Sequence, residues 1–348
     1  MCKLLALFAY LEMETFAIEF RRNIFNINTN AAFEKQALTL FRFQSEHNPV
    51  YRDFIRNMKI NPAEIDEISK IPFLPIELFK TKRVLINEAP LGGSIFSSSA
   101  TSGLMPSKHH VPDLALYTES FRKGFELFYG DVKDYAILAL LPSYLEREGS
   151  SLIFMVEDII RQSAHPDSGF YLYNHSELQD KLEKLQEQKQ KIVLIGVSFA
   201  LLDFVKAGMR DGGRGTRDLI VMETGGMKGR RKEILREELH KILRDAFAVS
   251  HIHSEYGMTE LLSQAYSKGE GVFHTPPWMR ILIRESNDPL APAPIGRTGG
   301  INIIDLANIY SCAFIATQDL GKVNADGSFE VLGRFDYSDI RGCNLMME

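Results

Sequence analysis

The sequence predicts an α/β fold: helices alternate with the buried strands of layered, mostly parallel sheets, and a β-rich subdomain follows. Three observations carry this prediction. The runs Tyr135–Leu141, Ile192–Val197 and Leu219–Met222 are continuously apolar, as strands covered on both faces are. Amphipathic helical stretches separate these runs, the order expected of parallel βαβ units. After about residue 270 the rhythm changes. Short strand-like runs at 279–284, 300–305, 312–317 and 328–332 are punctuated by Gly, Asn and Asp, which marks an antiparallel or barrel-like portion.

Taken in order, Leu4–Leu11 is apolar but too short to span a bilayer. Lys3 before it suggests a signal peptide, yet Glu12 and Glu14 follow and no small-residue cleavage site appears. Residues 1–30 are therefore read as a leader or extension, with the native start at Met13. Residues 31–47 carry Phe33, Ala37, Leu40 and Phe41 at helical spacing. Ile71–Pro75 is an extended connector fixed by its prolines. Helices are expected at 113–129, 151–162, 175–190 and 229–245; the Glu, Lys and Gln content of 175–190 marks a solvated face. The expected division is a leader (1–30), an α/β core (31–270), a β-rich subdomain (271–334) and a hinge-like tail (335–348).

Composition narrows the function. The 348 residues are 45% hydrophobic and 24% charged, with net charge −5, which is ordinary globular usage. No long Lys/Arg block suggests a nucleic-acid partner, and Gly229–Lys232 reads as the solvated start of a helix. Three cysteines, Cys2, Cys312 and Cys343, cannot build a disulfide framework, and this points to a reducing, cytoplasmic setting. Neither C-x-x-C nor H-E-x-x-H occurs, so no structural metal is expected.

Two stretches carry chemistry. Ser97–Ser107 contains Ser99, Thr101, Ser102 and Gly103, hydroxyls and exposed N–H groups of the kind that wrap phosphate oxygens. It is not a Walker A loop, since no G-x-x-x-x-G-K-[ST] occurs there. Far downstream, Glu255–Glu260 brings together Tyr256, Gly257, Thr259 and Glu260: a stacking aromatic, a permissive Gly, a hydroxyl and a carboxylate. That set suits an adenine face, a phosphate and a hard cation such as Mg²⁺. Gly225 and Gly226 follow a buried strand, where they either let the backbone approach a flat ring or make a helix-start turn. Asp319 stands at a strand end, as a ribose acceptor or a plain turn residue, and Arg334 as a phosphate or ribose donor or a surface charge. His109 and His110 hold phosphate or an acyl carboxylate, or are a solvated pair. His253 lines an acyl pocket or fills space.

The two stretches resemble the phosphate loop and the second signature of the adenylate-forming superfamily. Asp319, Arg334 and Asp336 match its ribose and hinge positions. Pro142–Leu152, Gly225–Lys228 and Asp339–Cys343 are similar to the acyl-protein synthetases of the LuxE type, with phenylacetate-CoA ligases the next relatives. The resemblance runs from about residue 35 to the end. It implies the superfamily's N-terminal-domain fold, with ATP and Mg²⁺ as cofactors. Glu260 would hold the metal, and Ser99, Thr101, Ser102, Gly103 and Thr259 the phosphates. Tyr256, Gly225 and Gly226 would bound the adenine and Asp319 the ribose, with Gly257 and Arg334 also binding the nucleotide. The substrate would be a small-molecule carboxylic acid, and a reductase, an acyltransferase or a carrier protein a partner. Two departures stand out. Ala100 replaces a usual Gly and Ser107 a frequent Lys, which removes a charge from the phosphate site. The sequence ends about five residues after Cys343, so the usual C-terminal lid domain is not expected.

The implied chemistry is activation of a carboxylate as an acyl-adenylate, then transfer to a thiol. Cys343, beside Arg341, is the candidate acceptor, or else a small apolar residue at a chain end. Two alternatives remain: delivery to CoA, a carrier or a small acceptor, and a non-catalytic adenylate-binding module.

Overall fold

The computed structural model describes residues 2–87, 89–90, 92–98, 105–141, 149–207, 218–225 and 234–335, the side chains of 2–12 excepted. Ser99, Ala100, Thr101, Ser102, Gly103, Gly226, Asp336, Arg341 and Cys343 lie outside the described residues, as does most of Pro142–Leu152.

The strands are β1 (Leu74–Pro75), β2 (Ser94–Ser97), β3 (Lys108–Val111), β4 (Tyr135–Leu140), β5 (Gly169–Phe170), β6 (Lys191–Val197), β7 (Leu219–Thr224), β8 (His253–Tyr256), β9 (Ala265–Ser267), β10 (Val272–His274), β11 (Met279–Arg284), β12 (Gly299–Asp305), β13 (Phe314–Val323) and β14 (Phe329–Arg334). Eleven of them run in the order β11-β12-β13-β14-β10-β9-β8-β7-β6-β4-β5, and β1 joins that sheet alongside β13; β2 and β3 form a separate hairpin. Pairing is parallel from β5 to β8 and antiparallel from β8 to β11. The sequence's change of rhythm is thus a change of strand direction within one sheet. The boundary expected at 270–271 falls between β9 and β10, which are hydrogen-bonded neighbours.

The helices are α1 (Cys2–Ile24), α2 (Asn30–His47), α3 (Pro49–Asn57), α4 (Leu78–Thr81), α5 (Leu114–Tyr129), α6 (Ser151–Ser163), α7 (His175–Glu187), α8 (Ser198–Lys206) and α9 (Arg236–Phe247). Local chemistry sets their starts. Thr29, Asp113 and Ser150 accept from the backbone N–H groups of Ala32, Leu116 and Ile153 at 3.1, 3.0 and 3.3 Å, each satisfying an orphan donor. Pro49 opens α3, where its missing N–H costs nothing, and Asn48 caps it. α9 begins seven residues later than 229, because Leu235 is extended (ψ 144°); Glu237 and Glu238 then sit in its first turn, where the helix dipole favours them.

β4 is buried along its whole length and β6 along all but its first residue, as continuous apolar runs between helix layers must be. The second half of α1 joins this core through Met13, Ala17, Phe20 and Ile24, a helical stripe, and Arg21 pairs with Asp113 at 3.1 Å and Glu119 at 2.7 Å. No helix among the described residues is long and apolar enough to cross a membrane.

Candidate active site

The site forms where β8 and β14 end, beside the middle of β13 and against β3; Asp319 thus lies within a strand and not at the strand end expected from the sequence. β8 delivers Tyr256, and the chain then turns through Gly257-Met258-Thr259-Glu260. An added Cβ at Gly257 would overlap the Glu255 carboxylate, so the turn admits only glycine without displacing that group. Asp319 on β13 lies directly opposite Arg334 on β14, and Arg334 Nε donates to Asp319 Oδ1 at 3.1 Å. A register shift beside Leu320 and Gly321 accompanies this pairing. The Tyr256 hydroxyl donates to Asp319 Oδ2 at 2.9 Å. Burial, reinforced by the Asp319 charge, holds the Tyr256 phenol far above its ordinary value, so it remains a donor. Its ring packs on Phe273 and Phe329. Asp319, Arg334 and Tyr256 thus lie together, and Gly257, Thr259 and Glu260 follow in the turn after β8.

Glu260 is 5% exposed. Burial pushes its carboxyl above the ordinary value, against a hydrogen bond from Ser107 and the charges of Lys80 and Arg334. Such a carboxylate gains from a cation, and one carboxylate completed by phosphates and water is an ordinary Mg²⁺ environment. Among the described residues no cluster of three or more metal-ligating side chains exists.

His109 resolves the question left by the histidine pair. Its Nδ1 donates to the Thr259 carbonyl at 2.8 Å, since a carbonyl only accepts, and its Nε2 is buried without a partner among the described residues. Burial lowers its pKa to about 4, so the ring is neutral at pH 7. His110 is its neighbour on β3 and, by strand alternation, faces the other side. His253 accepts from or donates to the Tyr129 hydroxyl at 3.2 Å. Gly225 follows β7 with φ 67°, and its carbonyl accepts from Ser198 Oγ at 2.7 Å. Cys312 is fully buried and its thiol is pushed up to about 12, which fits the expected core role.

Several participants have no motif. Asp305, fully buried, accepts from the N–H groups of Leu262 (2.7 Å) and Ser263 (3.1 Å) and from the Ser263 hydroxyl (2.5 Å). Asn308 donates to the Glu260 carbonyl at 2.7 Å, and Gln44 on α2 donates to the Asn308 carbonyl at 2.7 Å. The turn bearing Thr259 and Glu260 is therefore pinned at the carbonyls of 259 and 260 and at the amides of 262 and 263. Gln44 and Asn308 lie 264 residues apart, and only an Asp and an Asn inside an apolar stretch hinted at such partners.

The family described as Acyl-protein synthetase, LuxE matches residues 23–114 and 165–348. The chain belongs to the LuxE acyl-protein synthetase family. It is 23% identical to the long-chain-fatty-acid–luciferin-component ligase of Vibrio harveyi, over 88% of this chain and 85% of that protein. The ligase of the same name from Aliivibrio fischeri is also 23% identical, over 90% and 87%. Among solved structures, 2-hydroxyisobutyryl-CoA ligase with 2-HIB-AMP and CoA aligns with TM-score 0.64 at 12% identity, covering 89% of this chain and 71% of that one. ATP-bound MatB from Rhodopseudomonas palustris aligns with TM-score 0.54 at 16% identity. There the match covers 69% of this chain and 47% of MatB, so the chain spans about half of MatB. These structures share the fold: a LuxE-family chain on the scaffold of the adenylate-forming ligases.

Proposed function

We propose that this LuxE-family enzyme uses ATP to activate a long-chain carboxylic acid and passes the acyl group to a thiol, with Cys343 the acceptor. The observation that supports this most is the convergence of Asp319, Tyr256, Arg334, Thr259 and Glu260 around the ends of β8 and β14 and the middle of β13 in a member of this family. A carboxylate oxygen of the acid attacks the α-phosphorus of ATP, the bond to pyrophosphate breaks, and an acyl-adenylate forms. A thiolate then attacks the acyl carbon, and AMP leaves with its electron pair.

Asp319 accepts the ribose hydroxyls, with its second oxygen steadied by Tyr256. Gly225, with Gly226, gives the adenine a flat approach along the backbone. Thr259 and the loop hydroxyls of Ser99, Thr101 and Ser102 donate to phosphate oxygens. Glu260 holds Mg²⁺, which when bound supplies charge neutralisation for the phosphates. Neutral His109 fixes the Thr259 carbonyl and leaves Nε2 as a buried acceptor. A reductase, an acyltransferase or a carrier protein is the partner class that the family resemblance implies, and the relatives are named for a luciferin component.

Acid-dependent exchange of pyrophosphate into ATP tests the first half-reaction; its absence with every saturated fatty acid tried would sink the reading in favour of a non-catalytic module. Labelled fatty acid tests the second. A hydroxylamine-sensitive label on the C-terminal peptide, lost in Cys343→Ser while exchange persists, is the expected result. Label found only on CoA would transfer the acceptor role to that small molecule.

A further inference from the structure

We propose that Lys80 binds the phosphate chain of the nucleotide, supplying the cation that the phosphate loop lacks at Ser107. This rests on the reading of the site as a nucleotide site. α4, which carries Lys80, is wedged between the three elements that build the site. Residues 74–76 run alongside β13: Leu74 and Pro75 register with Ile315 and Ala316, and Ile76 N donates to the Ala316 carbonyl at 3.0 Å. Gln318, next to Asp319, donates to Glu77. The buried Phe79 ring packs edge-on against His109 at 5.7 Å, and His109 holds the Thr259 carbonyl. α4, which bears Lys80, is thus held beside β13 and β3, whose His109 bonds the Thr259 carbonyl.

Charge then selects its role. Around Glu260 and Asp319 the positive groups are Arg334 and Lys80, while Lys108 and Arg83 lie by His110 on β3. A nucleoside triphosphate brings several further negative charges. Arg334 is already paired with Asp319, and its side chain is 78% exposed, where solvent screens it. Lys80 is half-buried and, among the described residues, forms no ion pair within 4.0 Å. Its field falls on Glu260, the residue assigned to the phosphate-bound metal. A Lys ammonium is a point charge suited to phosphate oxygens.

Calorimetry on the full chain tests this with Lys80→Met, which keeps most of the stem, and Lys80→Arg. Lys80→Met should weaken MgATP by about tenfold or more, equivalent to about 1.4 kcal/mol. It should change AMP affinity by less than about threefold, because AMP lacks the β- and γ-phosphates, and Lys80→Arg should recover most of the loss. As a check that needs no variant to fold, MgATP should protect Lys80 of the wild type from an amine-reactive label better than AMP does. Unchanged MgATP affinity in Lys80→Met, equal protection by AMP, or a loss confined to fatty-acid binding would each overturn the inference. Wild-type protein that binds no MgATP would instead remove the nucleotide reading beneath it.

Discussion

The parallel half of the sheet and the turn after β8 are held by opposite means. In the parallel half, Leu138, Leu194 and Val221 register across β4, β6 and β7, and each is fully buried. Apolar area does the work there, it is non-directional, and many substitutions of similar volume would serve. The turn at 257–263 lies against polar groups, His109, Asn308 and Asp305, and its own Ser263 is in contact with Ser120 at 3.1 Å, Ser120 accepting from Trp278 at 3.0 Å. Directional bonds of this kind fix where a backbone atom sits. They add little net stability, yet leaving one partner unpaired in a buried place is costly. The comparison teaches that the scaffold is built by area and the site by satisfied polar pairs.

The sharpest way to break that contrast is Glu260→Gln, which keeps the shape and removes the charge. Acid-dependent pyrophosphate exchange should fall by about a thousandfold, an effect of the size that loss of an electrostatic group has in other active sites. The pH dependence has a definite sign. Glu260 must be ionised to hold a cation, and its pKa is raised by burial, so MgATP affinity should fade on acidification at a pH above the ordinary glutamate range of about 4.3, with no such limb in Glu260→Gln. Because the folded value is raised, the ionised form costs stability as pH rises through it. Glu260→Gln should therefore melt higher than wild type near pH 8 and lose that advantage near pH 4.

Asp319→Ala should come next, weakening ATP and AMP alike by about tenfold to a hundredfold, since the ribose is common to both and a buried Tyr256 hydroxyl loses its acceptor. Wild-type AMP affinity in calorimetry would take Asp319 out of the site.

Asp305→Ala and Leu194→Ala form a matched pair. The first strands buried donors and should cost about 3–5 kcal/mol, the second empties core volume and should cost about 2–5 kcal/mol. Denaturant melts should thus look alike. Exchange measured well below both melting points should separate them, with Asp305→Ala impaired and Leu194→Ala near wild type; equal activities would mean that the polar clamp does not shape the site.

Much of the scaffold was legible in the sequence because its signals are local. A run such as Ile192–Val197 can only be a covered strand, and Asp113 or Ser150 before a periodic stretch marks a helix start. The Tyr256–Glu260 cluster was legible because six adjacent residues carry it. The start of α9 was misjudged, since Ile234 and Leu235 fit a helix pattern equally well while the chain there is extended.

By itself the sequence determined the strand and helix alternation, the switch of rhythm near residue 270, and the order in which the site's residues arrive. Tertiary structure alone decided that strands on both sides of that switch share one sheet, and that register sets Asp319 against Arg334. It alone decided that His109 rather than His110 turns toward Thr259, and that Lys80, Asp305, Asn308 and Gln44 gather around the same turn. The reason is range. Propensity and periodicity act over a few neighbours, whereas a buried hydrogen bond between residues 44 and 308 exists only once the intervening chain has closed, and nothing near either residue announces the other.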